Sequence, residues 1–213
     1  MATEHQNHGP SHNHGNHAAY YARRAEAIQQ LLVEKGVCTL QEILDMADQI
    51  DARTPADGAR IVARAWVDQA YKQRLLADPE AAIQELGYNL PETAPRLRVL
   101  ENTEQVHYVG VCTLCSCFPR AVIGRPPDWY KGLAYRSRVV VDPRGVLGEF
   151  GTRLAESVEI RVMDSSADLR YLVLPRRPDG TEELSEIELA QLVTLESMIG
   201  VTEALAPQPT PAD

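Results

Sequence analysis

The chain has 213 residues, 44 % of them hydrophobic, and carries a formal net charge of -9 at pH 7. That length supports one good core, or one core and an extended arm. The acidic balance disfavours nucleic acid and anionic membrane as partners. No apolar run reaches the roughly 20 residues of a membrane span, and the start lacks the basic-then-apolar build of a secretory signal, so a cytoplasmic protein is expected.

Residues 1–18 are polar, with His5, His8, His12, His14 and His17 scattered among Asn and Gly. Such a stretch buries too little apolar area to order itself and reads as a disordered leader rather than a metal-gathering tail. From Tyr20 the pattern is helical, with Ile28, Leu31 and Leu32 on one face and a stop at Gly36. Thr39 and Glu42 form a capping-box pattern opening a second helix, with Ile43, Leu44 and Met46 expected inward. Thr54-Pro55 opens a third, striped by Ile61, Val62, Ala65 and Trp66, and Asp78-Pro79 opens a short one ending before Gly87.

The second half is mixed. Arg96–Leu100 and His107–Val111 read as strands, as do Val158–Val162 and Leu169–Leu174. Between them, after Pro126-Pro127, come a segment from Tyr135 to Val141 and a helix capped by Asp142. Ser185 and Glu188 make a capping box for a helix expected to run through Leu189, Leu192 and Val193 to Gly200. The pattern predicts an α+β protein. Its parts are the leader, an extended helical N-terminal arm with further helices over 19–90, a compact mixed domain over 91–206, and a flexible tail over 207–213. The arm helix is too long and too exposed to fold back on so small a domain, which calls for an obligate partner.

Three of the four cysteines fall in Cys112-Thr-Leu-Cys115-Ser-Cys117, at the end of a predicted strand. A trio this close reads as a metal or redox site rather than a disulfide framework. Cys38 stands apart and reads as a small core residue. A zinc knot would need a fourth ligand, and His107 on the preceding strand is badly placed to supply it. A thioredoxin-like pair leaves the third thiol unexplained. A further solution uses the backbone: deprotonated amides of Ser116 and Cys117 with the thiolates of Cys115 and Cys117 make a plane, and Cys112 lies axial. Such donors favour a trivalent first-row ion with one open position.

The cluster, followed by Gly124-Arg-Pro-Pro-Asp-Trp129-Tyr130-Lys131 and Tyr135-Arg136-Ser137-Arg138, resembles the α subunit of nitrile hydratase. Ala65-Trp66-Val67-Asp68, Glu159-Ile-Arg161-Val162 and Arg170-Tyr171 extend the likeness over roughly residues 20 to 205. The metal-bearing γ subunit of thiocyanate hydrolase is a close relative. The resemblance implies a β-type partner subunit, a metallochaperone or activator, and hydration of a small nitrile at a non-haem Co(III) or Fe(III) ion. Its ligands would be Cys112, Cys115, Ser116 and Cys117. Thr113 after the first cysteine points to cobalt. The resemblance also implies a sulfinic acid at Cys115 and a sulfenic acid at Cys117, with Arg170 bracing the site.

Arg120 and Arg125 depart from the nitrile hydratase pattern, which tends to carry Trp at the first and an apolar residue at the second. With Trp129 they are the expected substrate-pocket residues, and two guanidiniums would suit an anionic or strongly polar substrate. Three functions are therefore open: hydration of a nitrile, hydrolysis of thiocyanate to carbonyl sulfide and ammonia, or a non-catalytic metal scaffold or maturation factor.

Overall fold

The computed structural model describes residues 14–207 and divides into two units, one ending at Gln49 and one running from Ile50 onward. The first holds α1 (His14–Glu34) and most of α2 (Leu40–Asp51). The helix α1 begins inside the expected leader, so residues 14–18 are helical, while His5, His8 and His12 lie outside the described residues. Gly36 takes φ +65 just past α1, as a C-terminal stop requires. The Thr39–Glu42 capping box is formed, with Glu42 accepting from the Thr39 N–H at 2.7 Å and Thr39 Oγ1 from the Glu42 N–H at 3.1 Å. The inward reading of the second helix does not hold for Leu44 and Met46, which are 48 % and 51 % exposed. Its apolar stripe is real, but one short chain segment offers nothing to bury it.

The second unit begins with α3 (Pro55–Val67), α4 (Gln69–Ala77) and α5 (Pro79–Glu85). The sequence pattern did not separate α4. Asp68 ends α3 and caps α4 by accepting from the Tyr71 N–H at 2.8 Å, and Asp78 repeats the device at α5. These three helices share a core with the strands, so the unit boundary falls near Gln49 rather than near residue 90.

The strands are β1 (Arg96–Glu101), β2 (Val106–Val111), β3 (Glu159–Asp164) and β4 (Leu169–Leu174). They form two parallel pairs, β1 with β4 and β2 with β3. Parallel neighbours need a long crossover. The β2-to-β3 crossover carries the cysteine loop and then α6 (Arg120–Ile123), α7 (Asp128–Lys131), α8 (Leu133–Arg138) and α9 (Pro143–Glu149). In register, Val111 lies opposite Asp164, which brings the end of β3 beside the first cysteine.

The expected helix from Ser185 to Gly200 is two, α10 (Glu186–Gln191) and α11 (Leu195–Ile199). Thr194 breaks it: its hydroxyl accepts from the Ser197 N–H at 3.1 Å, and its own N–H donates to Ser197 Oγ at 3.0 Å. A local side-chain bond of this kind competes with helix continuation. Gly200 follows at φ +90, where an added Cβ would lie 2.0 Å from the Tyr108 carbonyl oxygen. The core gathers Ile61, Val62, Leu75 and Ile83 of the helices with Leu147 of α9 and Leu172 of β4.

Candidate metal centre

Strand β2 delivers Cys112 into the core, where it is 1 % exposed. The loop then rises to the surface at Leu114, 90 % exposed, and returns through half-buried Cys117 to buried Phe118. Cys115 sits exposed between them. The Cys112 and Cys115 sulfurs are 3.3 Å apart and those of Cys115 and Cys117 are 3.1 Å apart. Among the described residues this trio is the one group of three or more His, Cys, Asp or Glu side chains whose donor atoms converge closely enough for a metal ion.

The spacing tests what ion would fit. Two sulfurs about 2.3 Å from one ion lie about 3.3 Å apart at a right angle and about 3.8 Å apart at a tetrahedral angle. Both measured separations match the right angle. The trio also lacks the fourth side chain a closed zinc site needs. His107 is turned away: its Nε2–H donates to the Gly200 carbonyl at 2.8 Å, and its Nδ1 accepts from Asn102 at 3.2 Å. Burial holds its pKa below the usual 6.5. Cys38 is only half-buried and lies outside the trio.

The electrostatics of the loop favour thiolate. Hydrogen bonds from Cys117 and Cys112, with the backbone N–H groups of Ser116 and Cys117, bring the Cys115 pKa down to about 7. Burial pushes the Cys117 thiol up, and the neighbouring sulfurs add to this. The Cys115 N–H also donates to the Cys112 sulfur at 3.3 Å. A right-angled sulfur set on a loop that also carries the Ser116 and Cys117 backbone nitrogens suits a six-coordinate ion better than a tetrahedral one.

Four contacts hold the loop in place. The Asp164 carboxylate accepts from the Thr113 N–H at 2.9 Å and from its hydroxyl at 2.5 Å. Tyr130 donates its hydroxyl to the Cys117 carbonyl at 2.9 Å, and Tyr135 donates to the Gly110 carbonyl at 2.7 Å. Arg136 reaches the Thr113 carbonyl only weakly, at 3.4 Å. Both tyrosines are buried, which raises their pKa far above the usual phenol range and keeps them donors. Sequence reasoning missed all four of these roles. The Tyr130 and Tyr135 motif was visible, but Asp164 depends on the β2–β3 register, which no local pattern reports.

The other predicted site residues are placed as follows. Arg170, on β4, is half-buried and donates to the carbonyls of Ser166, Ala167 and Leu169, and its charge favours the Cys117 thiolate. Trp129 is half-buried, packed edge-on against Phe150 and Tyr135 with centroids 4.7 and 4.9 Å away. Arg125 forms a two-point ion pair with Asp51, which it keeps well ionised. Its guanidinium is therefore committed and not free for a substrate anion. Arg120 is exposed and has no ion pair among the described residues.

A strand-terminal cysteine loop with three converging sulfurs, set in an α+β unit of two parallel strand pairs, defines a protein with a candidate thiolate metal site. The comparisons make this specific. The nitrile hydratase, alpha chain, family matches residues 19–202. The low-molecular-weight cobalt-containing nitrile hydratase subunit alpha of Rhodococcus rhodochrous is 51 % identical over 187 residues, 87 % of this chain and 90 % of that one. The thiocyanate hydrolase subunit gamma of Thiobacillus thioparus is 40 % identical, covering 82 % of this chain and 76 % of that one. A solved double mutant of the Fe-type nitrile hydratase from Comamonas testosteroni is 44 % identical with a TM-score of 0.82, covering 92 % and 97 % of the two chains. The chain belongs to the nitrile hydratase alpha-chain family. No helix among its described residues is long and apolar enough to cross a membrane.

Proposed function

We propose that this chain is the metal-bearing subunit of a cytoplasmic nitrile hydratase, hydrating a small nitrile to its amide at a non-haem Co(III) centre. The supporting observation is the sulfur set at 3.1 and 3.3 Å, on a loop that also carries the Ser116 and Cys117 backbone nitrogens. A trivalent ion bound there would supply strong Lewis acidity. Cys112, Cys115 and Cys117 would hold it by sulfur, and Ser116 and Cys117 by nitrogen. Cys112 is the buried member of the set. Cys115, the exposed member of the trio, is the cysteine most accessible to an external oxidant such as dioxygen, which would carry it to the sulfinic acid. Cys117 as a sulfenic acid presents an oxygen that acts as nucleophile or base on the bound substrate. Arg170 stabilises negative charge at Cys117. Thr113 and the cobalt-containing relatives support cobalt, although an Fe-type enzyme shares the fold.

A β-type subunit is the expected partner, and a heterodimer or its multiple the expected form. The exposed apolar residues of α1 and α2, among them Tyr21, Ile28, Leu31 and Leu44, support this, because a contiguous apolar surface on a stable protein is normally covered. An activator that delivers cobalt is a further partner.

A second reading, thiocyanate hydrolysis, draws on Arg120, the one predicted pocket cation left without an ion pair. It is weakened by Asp51, which engages Arg125. Turnover by the complex with its partner subunit decides between them. Amide release from a neutral aliphatic nitrile, with no carbonyl sulfide from thiocyanate, is expected. Carbonyl sulfide with no amide would replace the nitrile reading by the second.

A further inference from the structure

We propose that Tyr130 is a positioning residue for the Cys117 ligand, with Tyr135 gripping the other end of the same loop. The two phenols stand on the consecutive short helices α7 and α8, and each hydroxyl makes one bond, to a main-chain carbonyl beside the claw. Tyr135 takes Gly110, just before Cys112, at 2.7 Å, and Tyr130 takes Cys117 itself at 2.9 Å. Between those two points the loop is held at Thr113, by the surface residue Asp164 and, weakly, by Arg136.

The Tyr130 ring cannot swing. It is 2 % exposed and packs edge-on against Phe118 at 5.0 Å and Trp129 at 6.0 Å, with Tyr135 tilted against it at 5.7 Å. A fixed hydroxyl on the Cys117 carbonyl fixes the peptide plane that leaves Cys117, and so restrains the backbone from which its sulfur and its amide nitrogen project. The next residue is Phe118, which touches the same ring, and then Pro119, which has no N–H to compete for a bond. Ligands of a catalytic ion need this kind of outer support to hold their orientation. The inference rests on the hydratase reading for its kinetic consequence, but not for its geometric one.

The test is Tyr130→Phe in the complex with the partner subunit, with Tyr71→Phe as the comparison. Tyr71 is equally buried, but its hydroxyl has no hydrogen-bond partner. Tyr130→Phe keeps the ring and its packing. It is expected to shift the sulfur-to-metal charge-transfer band and lower kcat about tenfold, with KM within about twofold, since orientation rather than binding is lost. In complex prepared without cobalt, amide hydrogen exchange at Cys115 to Cys117 is expected to quicken about tenfold. Tyr71→Phe is expected to change none of these. An unshifted band with unchanged kcat and unchanged exchange would overturn the proposal, as would equal effects from both variants. Should Tyr130→Phe fail to assemble, 3-fluorotyrosine at position 130 keeps the ring and the hydroxyl while making it a stronger donor. A band shift opposite to the loss of the bond is then expected, and no shift overturns the proposal. If the unaltered complex hydrates no nitrile, the hydratase reading fails. The exchange comparison still decides the role of Tyr130.

Discussion

Asp164 holds Thr113 by two hydrogen bonds at once, accepting from its backbone N–H at 2.9 Å and its hydroxyl at 2.5 Å. The pairing exists because β2 and β3 run parallel with Val111 opposite Asp164, so one strand's last residue reaches the turn leaving the other. Thr113 lies between Cys112 and Cys115 of the cysteine trio, and Asp164 therefore fixes the near side of the loop. Hydrogen bonds to a charged group contribute about 1.5–3 kcal/mol when sheltered and less at an exposed site such as this. Replacing Asp164 by Ala is expected to lower kcat about tenfold and to reduce cobalt retained against a chelator. Thr113→Ser keeps both bonds and is expected to change cobalt retention much less. Equal cobalt retention in Asp164→Ala and the unaltered protein would remove this role.

Arg120 is exposed and makes no ion pair among the described residues, whereas Arg125 pairs with Asp51. Substituting Arg120 by Leu is expected to raise KM for a carboxylate-bearing nitrile about tenfold, a loss of about 1.4 kcal/mol. For a neutral nitrile of similar size KM is expected to stay within about twofold. Asp51→Asn releases Arg125, and because that pair is exposed and screened by solvent its loss is expected to change the thermal midpoint little. Parallel steady-state assays on the two nitriles check the first expectation, and thermal unfolding checks the second.

His107 gives the fold an acid limit. Its ring is buried and neutral, with Nε2–H on Gly200 and Nδ1 accepting from Asn102, so protonation would set two donors against each other at Asn102. Its folded pKa lies below 6.5 because burial disfavours the cation, while the Gly200 carbonyl and the Glu203 charge oppose that only in part. The unfolded chain takes up the proton first as pH falls. Stability is therefore full above 6.5 and declines below it, toward the folded pKa. Thermal midpoints measured from about pH 8 to about pH 5 should show this decline, and His107→Asn should flatten it while lowering the midpoint at the upper end. An equal slope in both proteins would assign the decline to other groups.

Gly200 sits where α11 ends and β2 passes, at φ +90 and with no room for a Cβ beside the Tyr108 carbonyl. Gly200→Ala combines a strained torsion with a backbone clash. The expected loss is about 2 kcal/mol or more, lowering Tm by roughly 4–8 °C in a protein of this size. His107 bonds the carbonyl of this same glycine, so the acid decline should also begin from a lower midpoint in this variant.

Most elements were legible because their signals are local. The Thr39, Thr54, Asp78, Asp142 and Ser185 caps open helices, and the alternating runs after Arg96, His107 and Leu169 become strands. The break at Thr194 was missed because its apolar spacing continues the helical period while its hydroxyl stops the helix. The outward placement of Leu44 and Met46 was missed because periodicity shows that a stripe exists, not what covers it. In the site, the cysteine trio was legible as contiguous residues, whereas Asp164 reaches Thr113 only through strand register. The loss of Arg125 to Asp51 joins residues far apart in the chain, and nothing near either one announces it.

The measurement that tests the account most directly is peptide mass spectrometry of the cysteine loop, with metal analysis of the same preparation of the assembled complex. The account predicts tightly held cobalt at about one ion per chain, two added oxygens on Cys115, one on Cys117 and none on Cys112. Zinc bound to three unmodified thiols, in complex assembled with its partner in the presence of cobalt, would contradict it and leave a structural metal site in place of a catalytic one.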